Sequence, residues 1–334
     1  MKAPGFWYRD GASPQSVLLT PAGWIYGWAT AVRLRSGHAV DPGVPVVCVG
    51  NLTAGGAGKT PVVRDIARRL ASAGRNACVI SKGYGARDRG AMGTAPTLVD
   101  AAHHTAAQVG DEPVMLARAG ISVRVGMDRP QAARAAVGTG AQALILDDGY
   151  QDLAVAKTVS LVVVDGGLGF GNEALIPAGP LREPVATGLT RADGVVIAGE
   201  DRRGIEARVR AAGFPDMPVL TAHVRPGPEL AHIKDRPVFA FAGIGHPEKF
   251  FQTLEAGGCG LAGREAFADH HPFSDAEIAR IKRTAAALGA RPVTTEKDLV
   301  RLGPDQAAGI EVLTITLEWD DEAALTRLLA PVLS

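Results

Sequence analysis

Residues 46–61 constrain the fold of this chain more than any other stretch, and they read VVCVGNLTAGGAGKTP. A run of β-forming residues leads into a glycine-rich turn, and Lys59 and Thr60 then open a helical pattern. Glycines let backbone N–H groups turn towards an anion, while the lysine offers a charge to the β- and γ-phosphates and the threonine offers a hydroxyl to magnesium. This order predicts a nucleotide-binding loop between a strand and a helix. The predicted contact residues are Thr53, Ala54, Gly55, Gly56, Ala57, Gly58, Lys59 and Thr60.

This loop departs from the general phosphate-loop pattern at one position. The pattern has a glycine five residues before the Gly-Lys pair, and this chain has Thr53 there. The strand, the loop and the helix nevertheless follow one another in the required order, so we expect the loop to bind nucleotide phosphates. A glycine-rich turn that binds nothing is the alternative.

Length and composition indicate an ordinary folded protein. The 334 residues allow one large or two modest domains, and 46% hydrophobic against 21% charged residues is typical of a globular chain. Because 35 basic residues balance 35 acidic ones, the charge gives no reason to expect nucleic acid as a partner, and no protein partner is predicted either. Cys48, Cys78 and Cys259 lie far apart without zinc spacing, which favours a reducing compartment.

The N-terminal segment differs from the rest of the chain. Residues 17–32 carry no charge but include two tryptophans and a tyrosine, and Arg33 and Arg35 follow them. Pro21 and two glycines interrupt a run that is barely long enough to cross a bilayer. Aromatic rings beside arginines suit the headgroup region, so we predict an amphipathic helix that lies at a membrane surface through residues 16–35. A helix packed on the protein's own core and a spanning helix are the alternatives.

From residue 44 to residue 222, short apolar runs alternate with helical patterns. The predicted strands cover residues 44–49, 77–80, 97–99, 122–125, 143–146, 160–164, 194–197 and 219–222. The helical segments between them include residues 61–73, 112–119, 129–137 and 204–212. This alternation predicts an α/β fold of the P-loop NTPase type, in which helices flank a mainly parallel sheet. Ligands then gather at the carboxyl ends of the strands.

Residues 225–228, Arg-Pro-Gly-Pro, interrupt this alternation and are the strongest candidate for a linker between two parts of the chain. A second set of elements follows, with strands predicted over 237–242, 292–294 and 311–317 and helices over 247–256, 275–288 and 321–333. We therefore predict three parts: an N-terminal membrane-interface segment over 1–40, a phosphate-loop core over 41–224 and a smaller α/β lobe over 225–334.

Asp147 and Asp148 come directly after the apolar strand at 143–146. Phosphate-loop enzymes use acidic residues at the end of a buried strand to hold magnesium or its water shell. We predict a metal site here; a turn that closes the strand is the alternative. Asp165 also follows an apolar strand, and it has a weaker claim because no second acid adjoins it.

Asp111 opens a predicted helix, and two interpretations of it stand. It caps the helix, or it acts as a general base on an attacking hydroxyl. In the second lobe, His270 and His271 follow an aspartate. Adjacent histidines rarely bind one metal together, so a histidine carried across a cleft between the lobes is predicted to orient or tune the aspartate. Histidines on the surface are the alternative.

Residues 171–184 form a loop that is too long and too rich in turn formers to be a plain connection. Within it, Arg182 is predicted to contact a phosphate and Glu183 to join the metal ligands. Asn172 of this loop is a predicted substrate contact, as are Arg129, which follows the strand at 122–125, and His271.

Together these segments resemble the tetraacyldisaccharide 4'-kinase family, the lipid A 4'-kinases of Gram-negative bacteria. The resemblance rests on residues 50–61, Ser-Lys-Gly-Tyr-Gly at 81–85, Gly-Asp-Glu-Pro at 110–113, Asp-Asp-Gly-Tyr-Gln at 147–151, residues 177–183, Asp-His-His at 269–271 and Thr-Thr-Glu-Lys-Asp at 294–298. They span most of the chain in the order expected of the family. Thr53 looks like this family's own version of the loop.

The resemblance implies a two-lobed kinase that is peripheral to the cytoplasmic side of the inner membrane. It implies transfer of the ATP γ-phosphate, with magnesium, to the 4'-hydroxyl of a tetraacylated glucosamine disaccharide 1-phosphate. By this similarity Lys59 and Thr60 serve the phosphates and the metal. Asp111 acts on the hydroxyl together with a histidine, for which we choose His270 over His271.

Two other functions are open at this point. One is a membrane-associated P-loop ATPase that switches partners and has no phosphoryl acceptor. The other is a phosphate-loop kinase for a small metabolite, with the N-terminal helix packed on the protein. The segments around Asp111 and His270 disfavour the switch, because a switch needs no base for a sugar hydroxyl.

Overall fold

The computed structural model describes residues 4–9, 11, 13–35, 38–88 and 95–333, so the predicted segment over 1–40 falls partly outside it. A 3-10 turn at Gly5–Tyr8 comes first. The helices are α1 (Pro14–Arg35), α2 (Lys59–Ser72), α3 (Ala106–Val109), α4 (Asp111–Arg118), α5 (Arg129–Val137), α6 (Val185–Leu189), α7 (Ile205–Ala211), α8 (Leu230–Ile233), α9 (Pro247–Ala256), α10 (Asp275–Ala287), α11 (Glu296–Leu299), α12 (Pro304–Ala307) and α13 (Glu322–Leu333). The strands are β1 (Val46–Gly50), β2 (Ala77–Ser81), β3 (Thr97–Leu98), β4 (Ser122–Val125), β5 (Ala143–Asp147), β6 (Val159–Asp165), β7 (Gly194–Ala198), β8 (Val219–Pro226), β9 (Val238–Ala242), β10 (Leu261–Ala266), β11 (Arg291–Thr295), β12 (Glu311–Leu313) and β13 (Ile315–Trp319).

A large sheet forms the first lobe, and in the described residues its strand order is β13-β8-β7-β6-β1-β5-β2-β4-β3. All neighbours are parallel except β3 with β4 and β13 with β8, at the two edges. Alternate residues of the central strands enter two separate cores: Val47 and Val49 of β1 pack on one side of the sheet, and Val46 and Cys48 pack on the other. Helices therefore cover both faces, and the predicted α/β fold is confirmed.

The central strands bring the two predicted phosphate and metal segments together. Every residue of β1 and β5 is buried, and the two strands pair in parallel with Val49 opposite Asp147. Their carboxyl ends therefore meet at one edge of the sheet, where β1 leads into the glycine-rich loop and β5 ends in Asp147. This is the edge at which parallel sheets bind ligands.

A smaller sheet forms the second lobe, with the order β10-β9-β11-β12 among the described strands and parallel pairing throughout. Strand β9 lies at its centre, and its residues alternate between a core that includes Phe251 and a core that includes Phe273. The sequence did not predict β10, because Leu-Ala-Gly-Arg-Glu-Ala is poor in β-branched and aromatic residues.

The end of the chain returns to the large sheet. Residues 311–317 were predicted as one strand, but β12 pairs with β11 of the small sheet, whereas β13 pairs antiparallel with β8 of the large one. Helix α13 also packs on the large-sheet core through Leu325 and Leu329. The predicted lobe over 225–334 therefore extends too far, because residues 315–333 join the first lobe. The predicted linker is also shifted, since β8 continues to Pro226.

Helix α1 presents its large apolar side chains to solvent. Its buried positions are the small residues Ser16, Gly23 and Thr30, whereas Trp24 and Trp28 are 69% and 70% exposed. The membrane-surface role of this helix stays a prediction, and the side chains it would present to a bilayer are these exposed apolar ones. No helix in the part of the chain that the structure describes is long and apolar enough to cross a bilayer.

Candidate active site

The glycine-rich loop between β1 and α2 has the backbone geometry of an anion cradle. Gly55 and Gly58 have φ angles of 113° and 81°, which only glycine adopts without strain. Gly58 immediately precedes α2, and Lys59 and Thr60 form the first turn of that helix. The N–H groups of this turn have no partner within the helix and are therefore available to an anion such as a phosphate.

Thr53 has a structural role that explains why this position is not glycine. It forms an isolated antiparallel bridge with Leu181, and the N–H of Ala54 donates to the carbonyl of Pro180 at 2.7 Å. The side chain of Asn51 also donates to the carbonyl of Thr53 at 2.7 Å. An extended residue can have any side chain, so the loop forms with threonine here. The loop at 171–184 thereby supports the phosphate loop.

Asp147 and Asp148 face the same cleft as Lys59, and their pKa values are shifted in opposite directions. Burial is the main cause that raises the pKa of Asp147 to about 7, and the neighbouring Glu112 and Asp148 add to the rise while Lys59 opposes it. Burial also raises the pKa of Asp148, but Lys59 at 3.4 Å and Arg182 at 3.2 Å outweigh that effect and bring it below the usual value. A divalent cation would favour the charged form of both carboxylates.

These residues fit a magnesium ion held together with phosphate oxygens. The described chain contains no group of three or more His, Cys, Asp or Glu side chains arranged to hold a metal. Mg²⁺ in phosphate-loop proteins usually needs only one or two carboxylates and a hydroxyl, because water and phosphate complete its coordination. Thr60, Asp147 and Asp148 line the cleft and supply that donor set.

Glu183 and Asn172 are wrongly predicted. Glu183 is 2% exposed and does not line the cleft, and both its oxygens accept hydrogen bonds from Arg191 while Gln151 also donates to it. Asn172 bonds to Ser16 and to the carbonyl of Ala178, which fixes α1 and its own loop. Both side chains stabilise the surrounding loop and helix. The prediction failed because a sequence shows which residue is present but not where its side chain points.

Arg129 and Arg182 both line the cleft but differ in role. Arg129 is buried and donates to the carbonyls of Asp147 and Asp148 and to the carboxylate of Asp152. It therefore supports the acidic turn, and the predicted substrate contact is wrong. Arg182 is partly exposed and bonds to Asp148, which leaves it beside the predicted phosphate position.

Asp111 and His270 meet across the cleft between the two lobes. Asp111 is the first residue of α4, and its Oδ2 lies 2.6 Å from His270 Nδ1. Burial raises the pKa of Asp111, but the hydrogen bond from His270 and the guanidinium of Arg301 outweigh it, so the net pKa is lowered. The helix-cap interpretation is wrong, because Gly110 occupies the cap position. His270 lines the cleft, and Asp111 lies behind it.

The cleft between the lobes has a volume of about 1500 Å³, which exceeds the usual size of a small-molecule pocket. It contains the phosphate loop, both carboxylates of the acidic turn and His270. The C-terminal half of α1 also reaches it through Tyr26, Arg33 and Leu34. A nucleotide and a second, partly apolar molecule can therefore occupy it together.

Sequence reasoning missed the contacts that join the lobes. Arg301 pairs with Asp111, Lys297 Nζ lies 2.8 Å from Glu112, and Arg64 Nη1 lies 2.8 Å from Glu296. Two of these residues belong to the Thr-Thr-Glu-Lys-Asp stretch, to which no role was assigned. The sequence does show a concentration of charged residues around α11. It could not show which residues they pair with, because those residues lie far away in sequence.

Comparison with known proteins decides between the open interpretations. A family model described as tetraacyldisaccharide-1-P 4'-kinase matches residues 15–334. The chain belongs to the tetraacyldisaccharide 4'-kinase family. A tetraacyldisaccharide 4'-kinase of Rhodospirillum centenum is 49% identical over 338 residues, covering 100% of this chain and 97% of that protein. One from Paramagnetospirillum magneticum is 48% identical over 328 residues, covering 98% of each.

A solved structure confirms the fold of this kinase family member. It is LpxK from Aquifex aeolicus, solved as its "apo" form in complex with ATP, and it covers 96% of this chain and 99% of its own at a TM-score of 0.76 and 24% identity. The predicted kinase assignment is confirmed by the family, and it displaces both the ATPase switch and the small-metabolite kinase.

His270 and His271 are expected to respond differently to replacement. His271 packs between Phe267 and Phe273, its Nε2 lies 3.0 Å from Glu277, and it does not line the cleft, so the prediction that it contacts substrate is wrong. His270→Ala is expected to lower kcat about 100-fold, as for loss of a group that takes part in proton transfer. His271→Ala is expected to lower the melting temperature and to keep kcat within about threefold of the wild type.

Steady-state kinetics and thermal melting of the two variants test this. A large loss of kcat in the His271 variant alone would show that the wrong histidine has been assigned.

Proposed function

We propose that this chain transfers the γ-phosphate of ATP to the 4'-hydroxyl of a tetraacylated glucosamine disaccharide 1-phosphate in lipid A biosynthesis. The observation that supports it best is the Asp111–His270 pair at 2.6 Å, in which His270 lines the same cleft as the phosphate loop and Asp111 lies behind it. A phosphoryl acceptor requires a group that takes the proton of its hydroxyl, and an ATPase switch does not.

The donor side of the cleft holds and polarises the triphosphate. The backbone N–H groups from Gly55 to Gly58 and the first turn of α2 surround the phosphates, and Lys59 places its charge beside the β- and γ-phosphate oxygens. Thr60, Asp147 and Asp148 would hold Mg²⁺, which would supply positive charge against the negative charge of the transferring phosphate.

The acceptor side removes the proton. Carboxylate oxygens only accept hydrogen bonds, so the hydrogen between Asp111 and His270 belongs to Nδ1, and the pair is held in one tautomer. The hydrogen-bonded pair takes the proton of the 4'-hydroxyl as that oxygen attacks the γ-phosphorus, while the bond from the γ-phosphorus to the β–γ bridging oxygen breaks and ADP leaves. Because the two residues come from different lobes, the base is complete only when the lobes are together.

We infer that the kinase works at the cytoplasmic face of the inner membrane and binds it through α1. Trp24 and Trp28 lie one helical turn apart on the outward face, together with the exposed Leu18 and Ile25. Arg33 and Arg35 follow in the last turn, where they suit anionic headgroups. Since the same end of α1 lines the cleft, a lipid acceptor can reach the donor site with its acyl chains still in the bilayer.

Replacing both Trp24 and Trp28 with glutamate is expected to lower binding to anionic vesicles by about tenfold or more, since it puts charge where rings would insert. Phosphorylation of the detergent-dispersed lipid is expected to be unaffected, because neither tryptophan lines the cleft. Vesicle co-sedimentation measures the partition, and Leu288→Glu is a matched control, because Leu288 is an exposed apolar residue of the other lobe. Equal partition of the tryptophan variant and the wild type would contradict the membrane role of α1.

One assay tests the reaction itself. The purified protein is incubated with radiolabelled ATP, magnesium and the tetraacyl disaccharide 1-phosphate in detergent, and the lipid product is separated and counted. A labelled bisphosphorylated lipid is expected. Binding of ATP without any labelled lipid would refute the proposed reaction.

A further inference from the structure

Arg301 lies just after α11 in the second lobe, where it contacts Asp111 directly and is linked to His270 through the carbonyl of Gly243. Its side chain is 6% exposed, and it joins Asp111 of the first lobe to the backbone that carries His270. We propose that Arg301 is a positioning residue that sets the geometry and the protonation state of the Asp111–His270 pair. This inference rests on the proposed function of that pair.

One edge of the Arg301 guanidinium faces Asp111. Its Nε donates to Oδ2 at 2.7 Å, and Nη2 lies 2.6 Å from the same oxygen without the alignment of a hydrogen bond. His270 Nδ1 approaches that oxygen at 2.6 Å as well. A single carboxylate oxygen therefore lies between a permanent cation and the imidazole. Arginine stays charged at all working pH values, so it holds the carboxylate ionised.

The other edge of the guanidinium holds the loop that carries His270. Nη1 donates at 2.7 Å to the carbonyl of Gly243, and that carbonyl also accepts the N–H of His270 at 3.1 Å. His270 has a φ of 58°, which is uncommon outside glycine, so its backbone needs such support. Nη1 also donates to Asp298, which is fully buried and accepts the N–H of Gly243. Arg301 thus positions both members of the pair.

Other charged groups also face this pair, and the test leaves them in place. Asp269 Oδ2 lies 3.7 Å from His270 Nε2, and Lys297 lies between Asp269 and Glu112. Arg87 donates to the carbonyl of His270 at 2.8 Å. Among the charged groups of the described residues around this pair, Arg301 donates hydrogen bonds to both Asp111 and the Gly243 carbonyl. Its replacement therefore affects charge and geometry at once, and two variants can separate these effects.

The experiment compares Arg301→Gln and Arg301→Lys by measuring kcat and KM across pH, with thermal melting as a check on folding. Removing the cation raises the pKa of the pair, so the acidic limb of kcat is expected to move up by about one pH unit in the glutamine variant. Its kcat is expected to fall about tenfold at neutral pH, with KM for ATP nearly unchanged. The lysine variant keeps the charge but cannot reach both Asp111 and Gly243, so we expect a lowered kcat with an acidic limb close to that of the wild type.

Arg291→Gln is the matched control. Arg291 also joins a carboxylate, that of Glu311, to a backbone carbonyl in the second lobe, but it does not line the cleft. It is expected to keep the wild-type pH profile.

An Arg301→Gln variant with the wild-type acidic limb and kcat, or with a loss confined to KM for ATP, would overturn the assignment. If that variant does not fold, the lysine variant decides, because a wild-type kcat in it contradicts the positioning role. Absence of lipid product from the wild type would instead refute the proposed function.

Discussion

Lys59→Ala is expected to lower kcat about a thousandfold at saturating ATP and lipid. Lys59 is the first residue of α2, its side chain is 13% exposed, and its Nζ lies 3.4 Å from Asp148 Oδ1. In phosphoryl transfer the protein contributes mainly positioning and charge, so removing a pre-organised cation from the γ-phosphate removes a contact that strengthens in the transition state. Initial rates of lipid phosphorylation measure this loss.

The control for this variant is Lys282→Ala, which removes a lysine from the exposed face of α10 in the other lobe. It is expected to behave as the wild type. Nucleotide binding, measured by calorimetry, should weaken in the Lys59 variant while the melting temperature changes little, since the lysine is not part of either core. A Lys59 variant with a normal kcat would mean that the loop binds phosphate but does not act in transfer.

Asp111→Asn is expected to lower kcat by about a thousandfold and to leave KM for both substrates within a few-fold. Asparagine has nearly the shape of aspartate, so the packing at the start of α4 is retained. It carries no charge, however, so it would no longer stabilise the positive charge that His270 gains when the pair takes the proton of the hydroxyl. The loss should therefore appear in the chemical step, which single-turnover experiments measure directly.

Asp128→Asn is a suitable control for this second variant. Asp128 caps α5 through the N–H of Gln131 at 2.9 Å, and asparagine is an equally good cap, so stability and rate should both be kept. If Asp111→Asn retained a normal kcat, the contact with His270 would be a lobe-to-lobe tether and not part of a base.

The sequence predicted the large sheet well because its signals are local. Continuous apolar runs such as β1, β5 and β6 are buried on both faces, and each was predicted to within about two residues at its ends. Strand β10 lacked such a signal, and the break at Thr314, which separates β12 from β13, has no local cause that a single sequence shows. The sheet that a short strand joins depends on contacts with strands that are distant in sequence.

The same distinction between local and distant causes applies to the site. The glycine-rich loop, the acidic turn and His270 are each marked by neighbouring residues in sequence, and the structure brings all three into one cleft. Arg301 and Glu183 show the limit. The role of Arg301 depends on its contact with Asp111, which is 190 positions away and is therefore not visible in the local sequence. Glu183 follows Arg182 directly, yet the two side chains point to different partners, so proximity in sequence suggested a metal ligand that the fold does not provide.

The return of the chain through β13 has a mechanical consequence for the kinase. The second lobe is joined to the first by two adjacent crossings, where Pro226 pairs with Ile315 and the N–H of Gly227 donates to the carbonyl of Thr314 at 2.8 Å. A side chain at Gly227 would collide with the Thr314 hydroxyl and the Glu229 carboxylate, so both groups would have to move to accommodate it. We expect two adjacent crossings to restrict rotation of the second lobe against the first more than a single connection would. This restriction would favour the return of His270 to the same place beside Asp111 in each turnover.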